Sequence, residues 1–150
     1  PPFESYDMAG RTYRYFEGEP LYPFGHGLSY TTFEYADLRT DRETWSTGDS
    51  LVVRVDVTNT GVRAGDEVVQ LYVAHPESAV ERPLKELKRF ERVMLDPGET
   101  RTLTFSLDAS DLAYWDAGHG GWVVEAAPLE IQVGASSADI RRRSIVEVVR

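Results

Sequence analysis

The sequence contains no cysteine. That absence excludes disulfides, thiolate-bound zinc, iron–sulfur clusters and a cysteine nucleophile together. Asparagine occurs once, at Asn59, and Thr60-Gly61 follows it, so there is no N-glycosylation sequon. No apolar run approaches the roughly 18 residues that a membrane-crossing helix needs. Positive charge is in deficit: 16 Lys+Arg face 25 Asp+Glu, a formal net charge of −9. Nucleic acids and anionic membranes both reward a basic face, so neither is expected as a partner. The chain opens Pro1-Pro2-Phe3, with no initiator Met and no signal-like start, and reads as a segment of a longer polypeptide.

What is present suffices for one folded domain. Over 150 residues, 41% are hydrophobic and 11% aromatic, enough to fill a core. From Tyr30 onward the pattern has period two. Leu51, Val53, Val55 and Val57 flank Arg54 and Asp56. Val69, Leu71 and Val73 flank Gln70 and Tyr72. Leu103, Phe105 and Leu107 alternate with Thr104 and Ser106, and Leu129, Ile131 and Val133 with Glu130 and Gln132. Each run predicts a strand with one buried and one wet face. Phe33–Leu38 and Ile145–Val149 are further strand candidates at either end. Asn59-Thr60-Gly61, Asp96-Pro97-Gly98 and Gly118-His119-Gly120-Gly121 supply turns. Leu84, Leu87, Phe90 and Val93 recur every third residue, which fits a helix or a bulged strand; strand is the expectation, because it continues the sheet order. Residues 108–115 predict one helical turn capped by Asp108, with Asp111 near its N-terminus. The whole predicts an all-β, antiparallel, immunoglobulin-like or fibronectin type III-like sandwich of about seven or eight strands.

Residues 1–29 differ. Tyr13, Tyr15, Phe16, Tyr22 and Phe24 are interrupted by Gly18, Pro20, Pro23, Gly25 and Gly27. Such a segment cannot bury itself alone. It reads as a strap, laid either over its own domain or over a neighbour, with the sandwich occupying 30–150.

A search for chemistry finds no catalytic constellation. His26, His75 and His119 show no metal-ligand spacing and read as turn residues. Gly27-Leu28-Ser29-Tyr30-Thr31 approaches a nucleophile elbow, but Thr31 replaces the closing Gly and a strand follows where a helix is required. Asp108, Asp111 and Asp116 do not match a calcium loop. No phosphate-binding loop is present, so neither metal nor cofactor is expected. Among the tryptophans, Trp122 precedes Val123-Val124 and is expected in the core; Trp45 lies in a polar stretch and is the candidate for stacking on a sugar, with Trp115 and Tyr114 behind it. Residues Glu81–Arg92 carry a local excess of positive charge, read as a solvated face or as an edge for docking an acidic neighbour.

Leu21-Tyr22-Pro23-Phe24-Gly25-His26-Gly27-Leu28-Ser29-Tyr30-Thr31-Thr32-Phe33 resembles the segment that opens the C-terminal fibronectin type III-like domain of family 3 glycoside hydrolases, the β-glucosidases and β-xylosidases. Gly10–Phe16 resembles the lead-in to it, with a lean toward the xylosidases. The likeness continues, in order, through Val57–Gly61, Val68–Val73, Arg82–Leu87, Pro97–Thr100 and Val133–Ser137. One departure is Arg89, where the family pattern leads one to expect a small Gly. The resemblance implies that the catalytic carboxylates sit in preceding domains and that this chain carries none of them. It implies a polypeptide that removes terminal β-linked glucose or xylose by a retaining, two-carboxylate route. A periplasmic or secreted location is favoured by the likeness, and a cytoplasmic one is compatible with it. On this reading Tyr13, Tyr15, Phe16, Tyr22, Phe24 and Tyr30 pack against the preceding catalytic domains, Gly25 and Gly27 permit a tight turn, and His26 bonds across the joint. Two alternatives stand beside it: a carbohydrate-binding module that holds polysaccharide, and a structural or adhesive sandwich of an unrelated surface protein.

Overall fold

The computed structural model describes Pro2 and residues 4–149. Pro1 and Phe3, at the start of the expected strap, and Arg150 lie outside the described residues. A single helical turn, α1 (Thr12–Tyr15), precedes ten strands: β1 (Phe33–Thr40), β2 (Thr44–Ser46), β3 (Leu51–Asn59), β4 (Gly65–Ala74), β5 (Glu86–Leu95), β6 (Thr100–Leu107), β7 (Tyr114–Asp116), β8 (Gly121–Val123), β9 (Pro128–Gly134) and β10 (Ile140–Val149). The expected runs are all strands. The strands beyond the expected seven or eight are the three-residue pieces β2, β7 and β8, too short to show a period.

Two sheets face each other. One has the order β1-β3-β6, the other β2-β10-β9-β4-β5, and β7-β8 stand apart as a hairpin. All pairings are antiparallel except β10 with β2. The core lies between the sheets. Leu51, Val53, Val55 and Val57 of β3 and Leu103, Phe105 and Leu107 of β6 meet Val69, Leu71 and Val73 of β4, Leu129, Ile131 and Val133 of β9, and Val146 and Val148 of β10. The ambiguous 84–93 stretch is a bulged strand: Leu71 pairs with Arg89 and Tyr72 with Leu87, which leaves Lys88 as the extra residue. Arg89, where a Gly was expected, reaches the Asp111 carboxylate through both Nη atoms (2.9 and 2.7 Å). That fork ties β5 to the helical turn Ala109–Asp111. The helical turn expected over 108–115 covers only Ala109–Asp111, because Tyr114–Asp116 is strand β7; it is closed by the Asp108 amide donating to Asp111 Oδ2 at 2.8 Å.

Asn59 ends β3 and is fully buried. Its Nδ2 donates to the carbonyls of Arg63 (2.7 Å) and Leu95 (2.9 Å). Its Oδ1 accepts from Thr31 Oγ1 (2.7 Å) and the Gly61 amide (3.0 Å). The amide's hydrogen-bonding capacity is thus used in full. Its main chain joins the Asp96-Pro97-Gly98 turn, accepting from the Gly98 amide at 2.9 Å. Gly98 sits at φ +76°, which the position after a turn proline requires of Gly.

Three expectations are corrected. Trp45 is not exposed: it is 0% accessible, at the sheet edge in β2, with its Nε1 donating to the Asp49 carbonyl at 2.8 Å. An indole buried on all sides has no face to offer a sugar. Trp122 is not core but 72% exposed on the β7–β8 hairpin. And the second half of β4 is not wet on one face, because Gln70 and Tyr72 are buried along with Val69, Leu71 and Val73.

A candidate docking surface on the N-terminal strap

The second cover on β4 is the strap. Tyr13 and Phe24 stack with ring centroids 4.2 Å apart and planes 13° from parallel, and Tyr13 meets Tyr72 edge-on at 6.1 Å. Tyr13 Oη accepts from the Leu87 amide at 2.9 Å. Main-chain bonds fix both ends: the Leu84 amide donates to the Arg14 carbonyl (2.7 Å) and the Ser137 amide to the Phe24 carbonyl (2.9 Å). Arg14 also pairs with Glu86 at 3.1 Å.

Gln70 supplies the central clasp. Its Nε2 donates to the carbonyls of Gly25 (3.1 Å) and Ala135 (2.6 Å), and its Oε1 accepts from Tyr72 Oη at 2.6 Å. Burial pushes the Tyr72 hydroxyl well above its ordinary value, so it stays a donor. Gly25 lies at φ +78°, and a Cβ there would run into the Gln70 amide. The glycine is therefore required twice, by its backbone conformation and by the approach of Gln70. Gly27 faces open space.

The strap residues divide into two sets. Tyr13 lies inward on its own sandwich, and Phe24 stacks on it while keeping 45% of its surface exposed. Leu21, Tyr22, Leu28 and Tyr30 stand outward, Tyr30 at 95% exposure. Phe16 is partly exposed and Tyr15 half-buried, and His26 packs against Tyr22 with centroids 5.5 Å apart. Two open concavities flank this ridge. One, of about 1160 Å³, lies between α1 and the loop at Leu84 and Lys85. Burial lowers the Lys85 ammonium from its ordinary value, and its Nζ donates to the Ser137 carbonyl at 2.8 Å. The other, of about 620 Å³, runs from His26 and Leu28 to Val68 and Phe90, with Glu67 and Arg141 on its wall. Burial raises the Glu67 carboxyl above its usual value. Phe90 and Val68 extend the apolar surface onto the sheet and were missed in the sequence, although Phe90 breaks the alternation as an outward aromatic on β5. Most of the basic stretch is paired within the domain: Arg82 with His75, Lys88 with Glu86, Arg89 with Asp111 and Arg92 with Asp66. Among the described residues no cluster of His, Asp and Glu could hold a metal ion. No helix among the described residues is long and apolar enough to cross a membrane.

A two-sheet antiparallel sandwich with this strand order defines a fibronectin type III-like module. Residues 67–137 match the fibronectin type III-like domain family. The chain is 48% identical over 139 residues to thermostable β-glucosidase B of Acetivibrio thermocellus, a match covering 91% of this chain and 18% of that protein. It superposes on the GH3 β-glucosidase of Bifidobacterium adolescentis with a TM-score of 0.83 at 39% identity, over 91% of this chain and 20% of the other. For β-glucosidase 3B of Thermotoga neapolitana, solved with glucose, the TM-score is 0.82 at 41% identity, over 92% and 19%. The chain belongs to the fibronectin type III-like domains carried by family 3 β-glucosidases, and it spans about a fifth of the length of these relatives.

Proposed function

We propose that the chain is the non-catalytic accessory domain of a family 3 β-glycosidase and that its strap buttresses the catalytic domains of the same polypeptide. The observation that carries this is the two-sided strap. Its inner aromatics are locked to the sandwich, while Leu21, Tyr22, Leu28 and Tyr30 present apolar surface outward. Burying each such side chain is worth about 1.5–3 kcal/mol, so the row could hold two domains in fixed register. Register matters because about 1 Å of displacement between reacting groups can cost roughly a hundredfold in rate. The relatives named above are β-glucosidases, which favours a parent that removes terminal non-reducing β-D-glucosyl residues over one that acts on xylosides. No residue of this chain is assigned a catalytic role.

The test is the Leu28→Ser, Tyr30→Ser pair. In the full-length polypeptide it lowers the melting temperature of the catalytic domains by several degrees and reduces kcat, with little change in the choice between glucoside and xyloside. In the 150-residue chain the same pair leaves melting nearly unchanged, because both side chains are exposed there. Unchanged melting of the full-length variant would refute the buttress.

A further inference from the structure

The β7–β8 hairpin carries a surface that the strap does not explain. Trp115 and Trp122 are directly opposed across its ladder. Their ring centroids lie 5.8 Å apart at 82°, so the two indoles form a right-angled corner. Both are open, at 56% and 72% exposure. The hairpin is nonetheless held rigidly. Alternation turns Tyr114 to the opposite face, where the Arg82 guanidinium sits 5.0 Å from its ring centroid. Arg82 is itself anchored to the Leu112 carbonyl at 2.7 Å. At the tip, Asp116 Oδ1 accepts from the amides of Gly118 (2.7 Å) and His119 (3.3 Å), and Oδ2 from His119 Nδ1 (2.8 Å). These donors hold the Asp116 carboxyl below its usual value.

We propose that this corner is a carbohydrate-binding site for a neutral β-glucan segment. Two large indoles fixed in an exposed position give stacking area at little entropic cost, because their support is already ordered. Asp116 has its charge met by three donors within the hairpin, so it is not left open for an ionic partner. With Nδ1 committed to Asp116, the Nε2 of His119 is left at the rim as a hydrogen-bonding partner for a hydroxyl. An apolar right angle with hydrogen-bonding groups at its edge suits a pyranose, which offers C–H faces and hydroxyl edges. A protein partner would be drawn by the apolar area alone. The choice of a β-glucan as ligand rests on the functional reading above, whereas the corner itself does not depend on the strap.

The experiment is a titration of the ¹⁵N-labelled 150-residue chain with cellotetraose, followed at the three indole N–H resonances. Trp115 and Trp122 shift saturably, with a Kd on the order of 1 mM or tighter. Trp45, buried and bonded to Asp49, does not move. Trp122→Ala weakens binding about tenfold, Trp115→Ala does likewise, and neither unfolds the chain, since both side chains are exposed. In the full-length polypeptide the same two indoles remain open to acrylamide quenching, and the double variant loses retardation in gels containing soluble β-glucan. Absence of any shift at saturating sugar overturns the proposal. So does protection of both indoles from quencher in the full-length polypeptide, which would make the corner a domain contact. Neither result bears on the Leu28/Tyr30 test, so the two readings fail separately.

Discussion

Replacing Asn59 is the sharpest probe of how this sandwich is closed. Its side chain joins the end of β3 to the start of the sandwich at Thr31, to the loop at Gly61 and Arg63, and to the end of β5 at Leu95. Asn59→Ala removes all four bonds. The carbonyl of Leu95 is the most deeply buried partner, and water cannot readily replace Nδ2 there; the other three partners are partly reachable. A satisfied bond contributes about 1 kcal/mol net, and a stranded buried partner costs about 1–3 kcal/mol. The sum is about 4–6 kcal/mol, three bonds plus one stranded partner, read as a fall of about 12–18 °C in melting temperature for a domain of this size. Asn59→Asp keeps the shape but sets an oxygen where Nδ2 faced two carbonyl oxygens. Its ionised form is repelled, so the folded-state pKa rises above the unfolded value near 3.9. A raised carboxyl pKa makes the protonated form the stabilised one, so the variant's deficit against wild type shrinks as pH falls toward and below that value and grows toward neutrality. Urea unfolding of both variants at several pH values measures this. A loss below about 1 kcal/mol for Asn59→Ala, or a pH-independent deficit for Asn59→Asp, would refute the reasoning.

Gly25→Ala costs about 2–3 kcal/mol in chemical denaturation, since φ +78° is strained for Ala and its Cβ meets Gln70, whereas Gly27→Ala is near neutral. Burial, aided by the adjacent Arg82 guanidinium, depresses the His75 imidazole to about 4. Its Nε2 accepts from Arg82 at 2.8 Å, which requires the neutral ring. A depressed folded pKa means stability is present above the unfolded value near 6.5 and is lost as pH falls toward about 4; an NMR titration in which His75 protonates near 6.5 would contradict this. Trp45→Ala opens a core cavity and costs about 3–5 kcal/mol, while Trp122→Ala costs less than about 0.5, as paired unfolding curves will show.

The long strands were legible in the sequence because each has at least one face on the inter-sheet core, and period-two alternation records that directly. The Asp108–Asp111 turn and the Asp96-Pro97-Gly98 turn were legible because their chemistry is local. The bulge at Lys88 left only an ambiguous three-residue spacing, since one inserted residue disrupts the alternation that would have marked the strand. The tryptophans were assigned the wrong way round. A three-residue strand carries too few positions to show which way its central side chain points, and Trp45 gains its burial from β10, a parallel partner a hundred residues away. The outward row of the strap was visible only as composition; which aromatics turn inward depends on where Tyr72 and Gln70 wait for them.

By itself, then, the sequence determined the all-β class, the order of the main strands and the turns between them, because all of these rest on local pattern and residue type. Tertiary structure alone decided that the second half of β4 is covered on both faces, that Asn59 joins three distant segments, that Trp45 is core and that Trp115 and Trp122 form an open corner. Each of those depends on a contact between segments far apart in the chain, and hydrophobic periodicity reports that a face is buried without naming what buries it.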